Sequence, residues 1–236
     1  MSVILHIETT TLNCAVALFR NGEVIASKSI REQGYSHAEN IMPFIDSIVL
    51  ESGLIKKDIH AVSVSGGPGS YTGLRIGVAT AKGICHALAI PLISIDTLTV
   101  LKKQAEELCP GKDAYVSMLD ARRMEVYSRT FTDTHVTEVE AVVIDQESKD
   151  KFSGLGSICF IGDGAVKCKE VLSGEGREFI EAYPIAEAAV ELACDSFEKK
   201  DFVDLASYEP FYLKAFKTGR AKDPFNLRDK TSRFAQ

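Results

Sequence analysis

Apolar positions along this chain follow two periods, and the two alternate. Short apolar or alternating runs at residues 3–9, 14–19 and 23–30 predict three strands. Asn21-Gly22 between the last two is a two-residue hairpin turn, so the opening is an antiparallel meander. A helical period follows. Ser36 can cap a helix whose third residue is Glu39, the pattern of a capping box. Ile41, Ile45 and Ile48 share one face of it, Met42 and Val49 lie beside them, Phe44 points towards another side, and Gly53 ends it. Residues 61–65 predict a fourth strand. Leu74, Val78, Ala81, Cys85 and Leu88 make the core stripe of a helix over residues 72–88, and residues 91–95 predict a fifth strand. Asp96 or Thr97 then caps a helix running to about Glu107.

Cys109-Pro-Gly-Lys112 breaks the composition, and the order of elements starts again after it. Strands are expected at residues 114–119, 125–131 and 136–143. A short helix, a strand at 158–161, and helical stretches at 166–172 and 185–197 follow. Element order therefore repeats without close sequence similarity between the halves. The expected organisation is an N-terminal α/β lobe over residues 1–108, a C-terminal α/β lobe over 109–216 whose last helix can return to the first lobe, and a tail over 217–236.

The stretch with most chemical potential is Gly66-Gly67-Pro68-Gly69-Ser70-Tyr71-Thr72-Gly73, with Arg75 one residue further on. Strand, glycine loop and helix is an arrangement that aims backbone N–H groups at an anion, with Thr72 as the expected cap. It is neither a Walker loop nor GxGxxG, and a tight strand-to-helix connection explains it equally. Glu8, Thr9 and Thr10 stand at a hairpin, where acidic and hydroxyl groups can serve a Mg-phosphate site or the turn itself. Gly162, Asp163 and Gly164 form a second candidate anion loop, and Asp120 with Arg122 and Arg123 marks a strand end as a polar site or a salt-bridged turn. His37 opens a helix, but position 41 is Ile where an HxxxH metal pair needs a second His. His6, His60, His86 and His135 have no ligand spacing, so no metal site is expected. No nucleophile stands in an activating local context.

Charge and cysteine content narrow the class. The net charge of −6 argues against a protein built mainly to grip nucleic acid. Residues 217–236 differ: Lys217, Arg220, Lys222, Arg228, Lys230 and Arg233 against Asp223 and Asp229 give +4, leaving −10 for residues 1–216. Such a tail is either solvated or a contact for RNA or an acidic partner. Six cysteines without a CxxC pair read as buried thiols of a reducing cytoplasm. No apolar run is long enough for a membrane span, and the N-terminus reads as a strand, not a signal peptide. The helix from Ser36 is apolar beyond one face. The next helix has a second stripe of Ile76, Thr80, Gly83 and Ala87 that would let another helix approach closely, so the pair is either covered within the chain or a partner interface.

Three signals combine: Ile-Glu-Thr-Thr at 7–10, Ser36-His37 ahead of Pro43, and Ser65-Gly-Gly-Pro-Gly-Ser-Tyr-Thr-Gly-Leu-Arg75 running into Gly77. Asp96-Thr-Leu98, Asp120-Ala-Arg-Arg-Met-Glu-Val-Tyr127 and Glu209-Pro-Phe-Tyr-Leu213 follow. With these motifs the chain resembles the TsaB (YeaZ) family of tRNA threonylcarbamoyladenosine synthesis. The resemblance implies the two-lobed fold of actin-like ATPases and sugar kinases (ribonuclease H-like). It implies a non-catalytic scaffold that pairs with the catalytic subunit TsaD and recruits the ATPase TsaE, with a homodimer when alone. tRNA would be reached through the complex, and ATP and a divalent metal would belong to partner subunits. On this view Ile41, Phe44, Ile45, Ile48, Ile76, Thr80, Gly83 and Ala87 would meet the partner. The rival expectation is an ATP- or ADP-binding phosphotransferase using Glu8, Thr9, Thr10 and the 162–164 loop, or a peptidase-like protein as older family labels have it. A third has the basic tail contact tRNA directly.

Overall fold

The computed structural model describes residues 2–32 and 36–214; the basic tail of 217–236 lies outside them. Strands β1 (Val3–Glu8), β2 (Asn13–Arg20) and β3 (Glu23–Arg31) form the opening meander. Asn21 and Gly22 both take positive φ (53° and 85°), as a tight hairpin requires. Helix α1 (His37–Glu51), β4 (Ala61–Gly67), α2 (Tyr71–Leu88), β5 (Leu92–Asp96) and α3 (Thr97–Leu108) complete the first half. The first sheet has the order β3-β2-β1-β4-β5, with β4 and β5 added parallel to β1. Strand β1 is buried throughout because both sheet faces are covered. Val3, Leu5 and Ile7 face α1 and α2, whereas Ile4 faces the opposite layer with Phe19, Ile93 and Val100.

The second half repeats the topology. Strands β6 (Ala114–Asp120), β7 (Glu125–Thr132), β8 (Glu140–Val143), β9 (Ile158–Ile161) and β10 (Arg177–Ile180) form a sheet in the order β10-β9-β6-β7-β8. This is the first sheet's order over again, so the two-lobed α/β fold of the actin-like ATPase and sugar-kinase type is present. The helices of this half are reduced to α4 (Lys169–Leu172) and α5 (Val190–Lys199), each preceded by a 3-10 turn. Three details differ from the sequence expectation. Residues 136–139 are not in strand β8, β10 was not anticipated, and the helical period at 166–172 gives a 3-10 turn with a single α-turn.

The lobes exchange their last helices. Leu98, Leu101 and Ala105 of α3 pack on Leu119, Cys159 and Ile161 of the second sheet. Ala193 of α5, with Ala186 and Ala189 of the turn before it, packs on Ile4, Ala15 and Phe19 of the first. The chain then returns along the first lobe as a strap over residues 203–214. Val203 bridges to Leu92 of β5, Tyr208 shares a hydrogen bond with Ser94 at 2.6 Å, and the Phe211 N–H donates to the Gly66 carbonyl at 2.8 Å. All six cysteines are free, and only Cys194 is less than fully buried.

Candidate functional site

The glycine loop between β4 and α2 is filled by the chain itself. Ser70, not Thr72, caps α2, its hydroxyl accepting from the Gly73 N–H at 3.3 Å. A Cβ on Gly66 would strike the Tyr208 and Ser94 hydroxyls, one on Gly67 would lie 2.6 Å from the Phe211 carbonyl, and one on Gly69 would lie 2.5 Å from the Thr10 carbonyl. That carbonyl accepts the Ser70 N–H at 2.7 Å. The space an anion would need is thus taken by the 9–11 turn on one side and the strap on the other. Tyr71 begins α2, and the Arg75 guanidinium lies 4.1 Å over its ring.

The first candidate phosphate group behaves in the same way. Glu8, Thr9 and Thr10 are buried. The Thr9 hydroxyl donates to the Gly73 carbonyl at 2.8 Å, and Glu8 Oε1 accepts the N–H and hydroxyl of Thr10 at 2.7 and 2.5 Å. Burial pushes the Glu8 carboxyl up to about 7, against the pull of hydrogen bonds from Ser65 and Thr10. His6, on the same strand, bonds the Ser63 hydroxyl at 2.9 Å, and burial lowers its pKa to about 3. His37 is buried with Nε2 2.9 Å from the Thr11 carbonyl. In the second lobe a Cβ on Gly162 would meet the Met118 carbonyl, and one on Gly164 would lie 2.9 Å from the Leu119 carbonyl carbon. Asp163 Oδ1 accepts the Asp120 N–H at 2.8 Å, and burial raises the Asp163 carboxyl to about 6. Glu8, Thr9, Thr10 and Asp163 thus tie their turns to neighbouring backbone and hydroxyl groups. The Asp120–Arg123 turn is likewise held from within, by Lys167 on the Asp120 carboxylate and the Arg123 and Glu125 carbonyls.

The open feature lies on the other face of α2. Met42 of α1, Lys56, and Ala79, Thr80, Gly83, Ile84, Ala87 and Leu88 of α2 line a groove of about 580 Å³. Among the described residues, nothing lies within 4 Å of where a Gly83 Cβ would be. Of the residues expected at a partner interface, Thr80, Gly83 and Ala87 line this groove, and Ile76 lies half-buried on the same helix. Ile41, Ile45 and Ile48 do not: they are 2%, 1% and 0% exposed and pack beneath α1 on the first sheet, with Phe44 half-buried against the same core. The apolar breadth of α1 comes from that inward stripe, and its large exposed apolar side chains are Met42 and Leu50. The expected capping box is also absent, since the Ser36 side chain makes no cap hydrogen bond. Sequence reasoning missed Met42 and Ile84 as groove residues; the 3.6-residue period carried the signal, because Thr80, Gly83, Ile84 and Ala87 share one face.

Residues 25–218 match the family model described as TsaD, tRNA N6-adenosine threonylcarbamoyltransferase. The tRNA threonylcarbamoyladenosine biosynthesis protein TsaB of Escherichia coli (strain K12) is 30% identical over 220 residues, covering 89% of this chain and 94% of its own. The protein of the same description from Bacillus subtilis (strain 168) is 34% identical over 126 residues, about half of each chain (53% and 53%). Among solved structures, YeaZ from Pseudomonas aeruginosa superposes with a TM-score of 0.76 at 22% identity, covering 90% of this chain and 100% of that one. On the match to TsaB along nearly its whole length, together with the shared two-lobed fold, the chain belongs to the TsaB (YeaZ) family, within the TsaD type of two-lobed proteins.

Proposed function

We propose that this protein is a non-catalytic subunit of tRNA threonylcarbamoyladenosine synthesis, and that it binds a TsaD-like catalytic subunit through the α1–α2 groove. The observation that carries this reading is the groove itself. Where the glycine loop before α2 is filled by the chain, this apolar surface is open around Gly83 among the described residues. A small-residue face lets a partner helix approach to about 8–10 Å between axes, and burial of about 800 Å² on each side suits a stable pair. The buried Glu8–Thr10 turn supports a scaffold role over that of a phosphotransferase. His37 is engaged with Thr11 and Ile41 lies in the core, which supports leaving metal chemistry to the partner. The complex would act in the cytoplasm, with a TsaE-like ATPase, ATP and the divalent metal contributed by partner subunits, and the same groove would join two copies when the chain is alone. Co-expression with a TsaD-type subunit and purification through a tag on that subunit tests this. Retention of this chain is expected, and its loss in the wash would overturn the reading.

A further inference from the structure

Two of the six cysteines stand together on the second sheet. The strand registers place Tyr115 of β6 and Glu178 of β10 on either side of Cys159 of β9, so the three side chains share one face. Leu98, Leu101 and Ala105 of α3 cover that face, and Cys109, the residue after α3, belongs to the same cluster. The Cys109 carbonyl accepts the Tyr115 hydroxyl at 3.1 Å, and the Cys109 thiol donates to Glu178 Oε2 at 2.8 Å. The Cys109 and Cys159 thiols are also hydrogen-bonded to each other. Lys112 Nζ lies 3.1 Å from the same Glu178 oxygen. Glu178 is exposed, Cys109 is 5% exposed and Cys159 0%. Hydrogen bonds from Cys109 and Lys112 hold the Glu178 carboxyl below its ordinary pKa, so it is ionised at neutral pH. Cys85 and Cys168, by contrast, donate to the backbone carbonyls of Pro91 and Gly164, at 3.3 and 3.1 Å.

We propose that Cys109 and Cys159 form a thiol-oxidation site, which a peroxide converts into a disulfide. The sulfur of Cys109, the more exposed of the two, attacks one peroxide oxygen and the O–O bond breaks. The thiol proton passes to the Glu178 carboxylate and on to the departing hydroxide, which leaves as water, and Cys109 becomes a sulfenic acid. The Cys159 sulfur then attacks the Cys109 sulfur; the S–O bond breaks and the hydroxyl leaves as water with the Cys159 proton. The two thiols lose two electrons, and one peroxide is reduced to two waters. Burial raises both thiols, Cys159 to about 12, so neither is a thiolate unaided at neutral pH and the first step depends on Glu178. The bond ties the C-terminal end of α3 to β9. In the test, the intact folded chain is treated with hydrogen peroxide, denatured, alkylated and mapped by peptide mass. A peptide cross-linked through Cys109 and Cys159 is expected, separated again by dithiothreitol, and the oxidised chain should melt several degrees higher. Glu178→Gln, at an exposed position, should form the bond several-fold more slowly while its reduced form melts with the parent. Cys159→Ala should carry the oxidation at Cys109 on to the sulfinic acid. Recovery of both alkylated thiols from the treated parent, or a sulfinic acid at Cys109 beside a free Cys159, would overturn the proposal. A parental rate in Glu178→Gln would overturn the part given to the carboxylate.

Discussion

Gly73, Gly77 and Gly83 lie on one helix and meet different surroundings. A Cβ on Gly73 would strike the Thr9 carbonyl and one on Gly77 the Thr9 hydroxyl, whereas one on Gly83 meets nothing within 4 Å among the described residues. Gly77→Ala should therefore destabilise by about 1–3 kcal/mol through overpacking. Gly83→Ala should stabilise by about 0.5–1 kcal/mol, because Gly in a helix interior costs that much relative to Ala. Chemical denaturation of the two variants reads the opposite signs. Glu8 supplies a pH test. Its folded pKa of about 7 is raised above the ordinary 4.5, so the folded state holds a proton that the unfolded chain releases between those values. Its contribution is fully present below pH 4.5 and lost as pH rises through 7. His6 works in the opposite sense: with its pKa lowered from 6.5 to about 3, its contribution is lost as pH falls through that window. Glu8→Gln keeps an acceptor for Thr10 and leaves His6 unchanged. The variant should gain thermal stability relative to the parent on going from about pH 5 to about pH 8, and a constant difference in melting temperature would contradict the assignment.

At the scale of elements, the sequence gives all five strands and all three helices of the first lobe. Edge strand β3 has no fully buried residue and is found through the Asn21-Gly22 turn beside it. Strand β10, Arg177-Glu-Phe-Ile180, is a sheet edge with no fully buried residue, so it carries no clear alternation. The helical stretches read at residues 166–172 and 185–197 are both present in reduced form, each opening with a 3-10 turn. For α1, sequence shows an apolar helix but not which stripe faces the sheet; three of the isoleucines it nominates for the surface are core. For the strap, nothing local in Tyr208-Glu-Pro-Phe-Tyr212 announces that its partners are a loop some 140 residues earlier, since a long-range contact leaves no period. The strap can be tested directly. Tyr208→Phe removes the hydrogen bond to Ser94 without changing the packing volume and should cost about 0.5–1.5 kcal/mol. Hydrogen exchange should then show faster opening at the Gly66–Phe211 hydrogen bond, where unchanged protection would mean that the strap is held elsewhere.

For the whole molecule, two lobes with matching sheets exchange their last helices, and a strap from the C-terminal end closes over the loop that begins α2. The glycine loop before α2 is packed between the 9–11 turn and the strap. Among the described residues, the face of α2 that carries Thr80, Gly83 and Ala87 lines an open groove. On the function proposed above, the groove serves assembly. Gly83→Glu separates assembly from folding: the fold has room for the new side chain, while a partner helix in the groove does not. The most direct measurement is the mass of the complex formed by this chain, wild type or Gly83→Glu, with a co-expressed TsaD-type subunit, alongside the melting temperature of each isolated chain. The groove predicts a wild-type complex, a variant found only as separate subunits, and a melting temperature for the variant no lower than wild type. A Gly83→Glu chain that assembles to the same mass as wild type would contradict it.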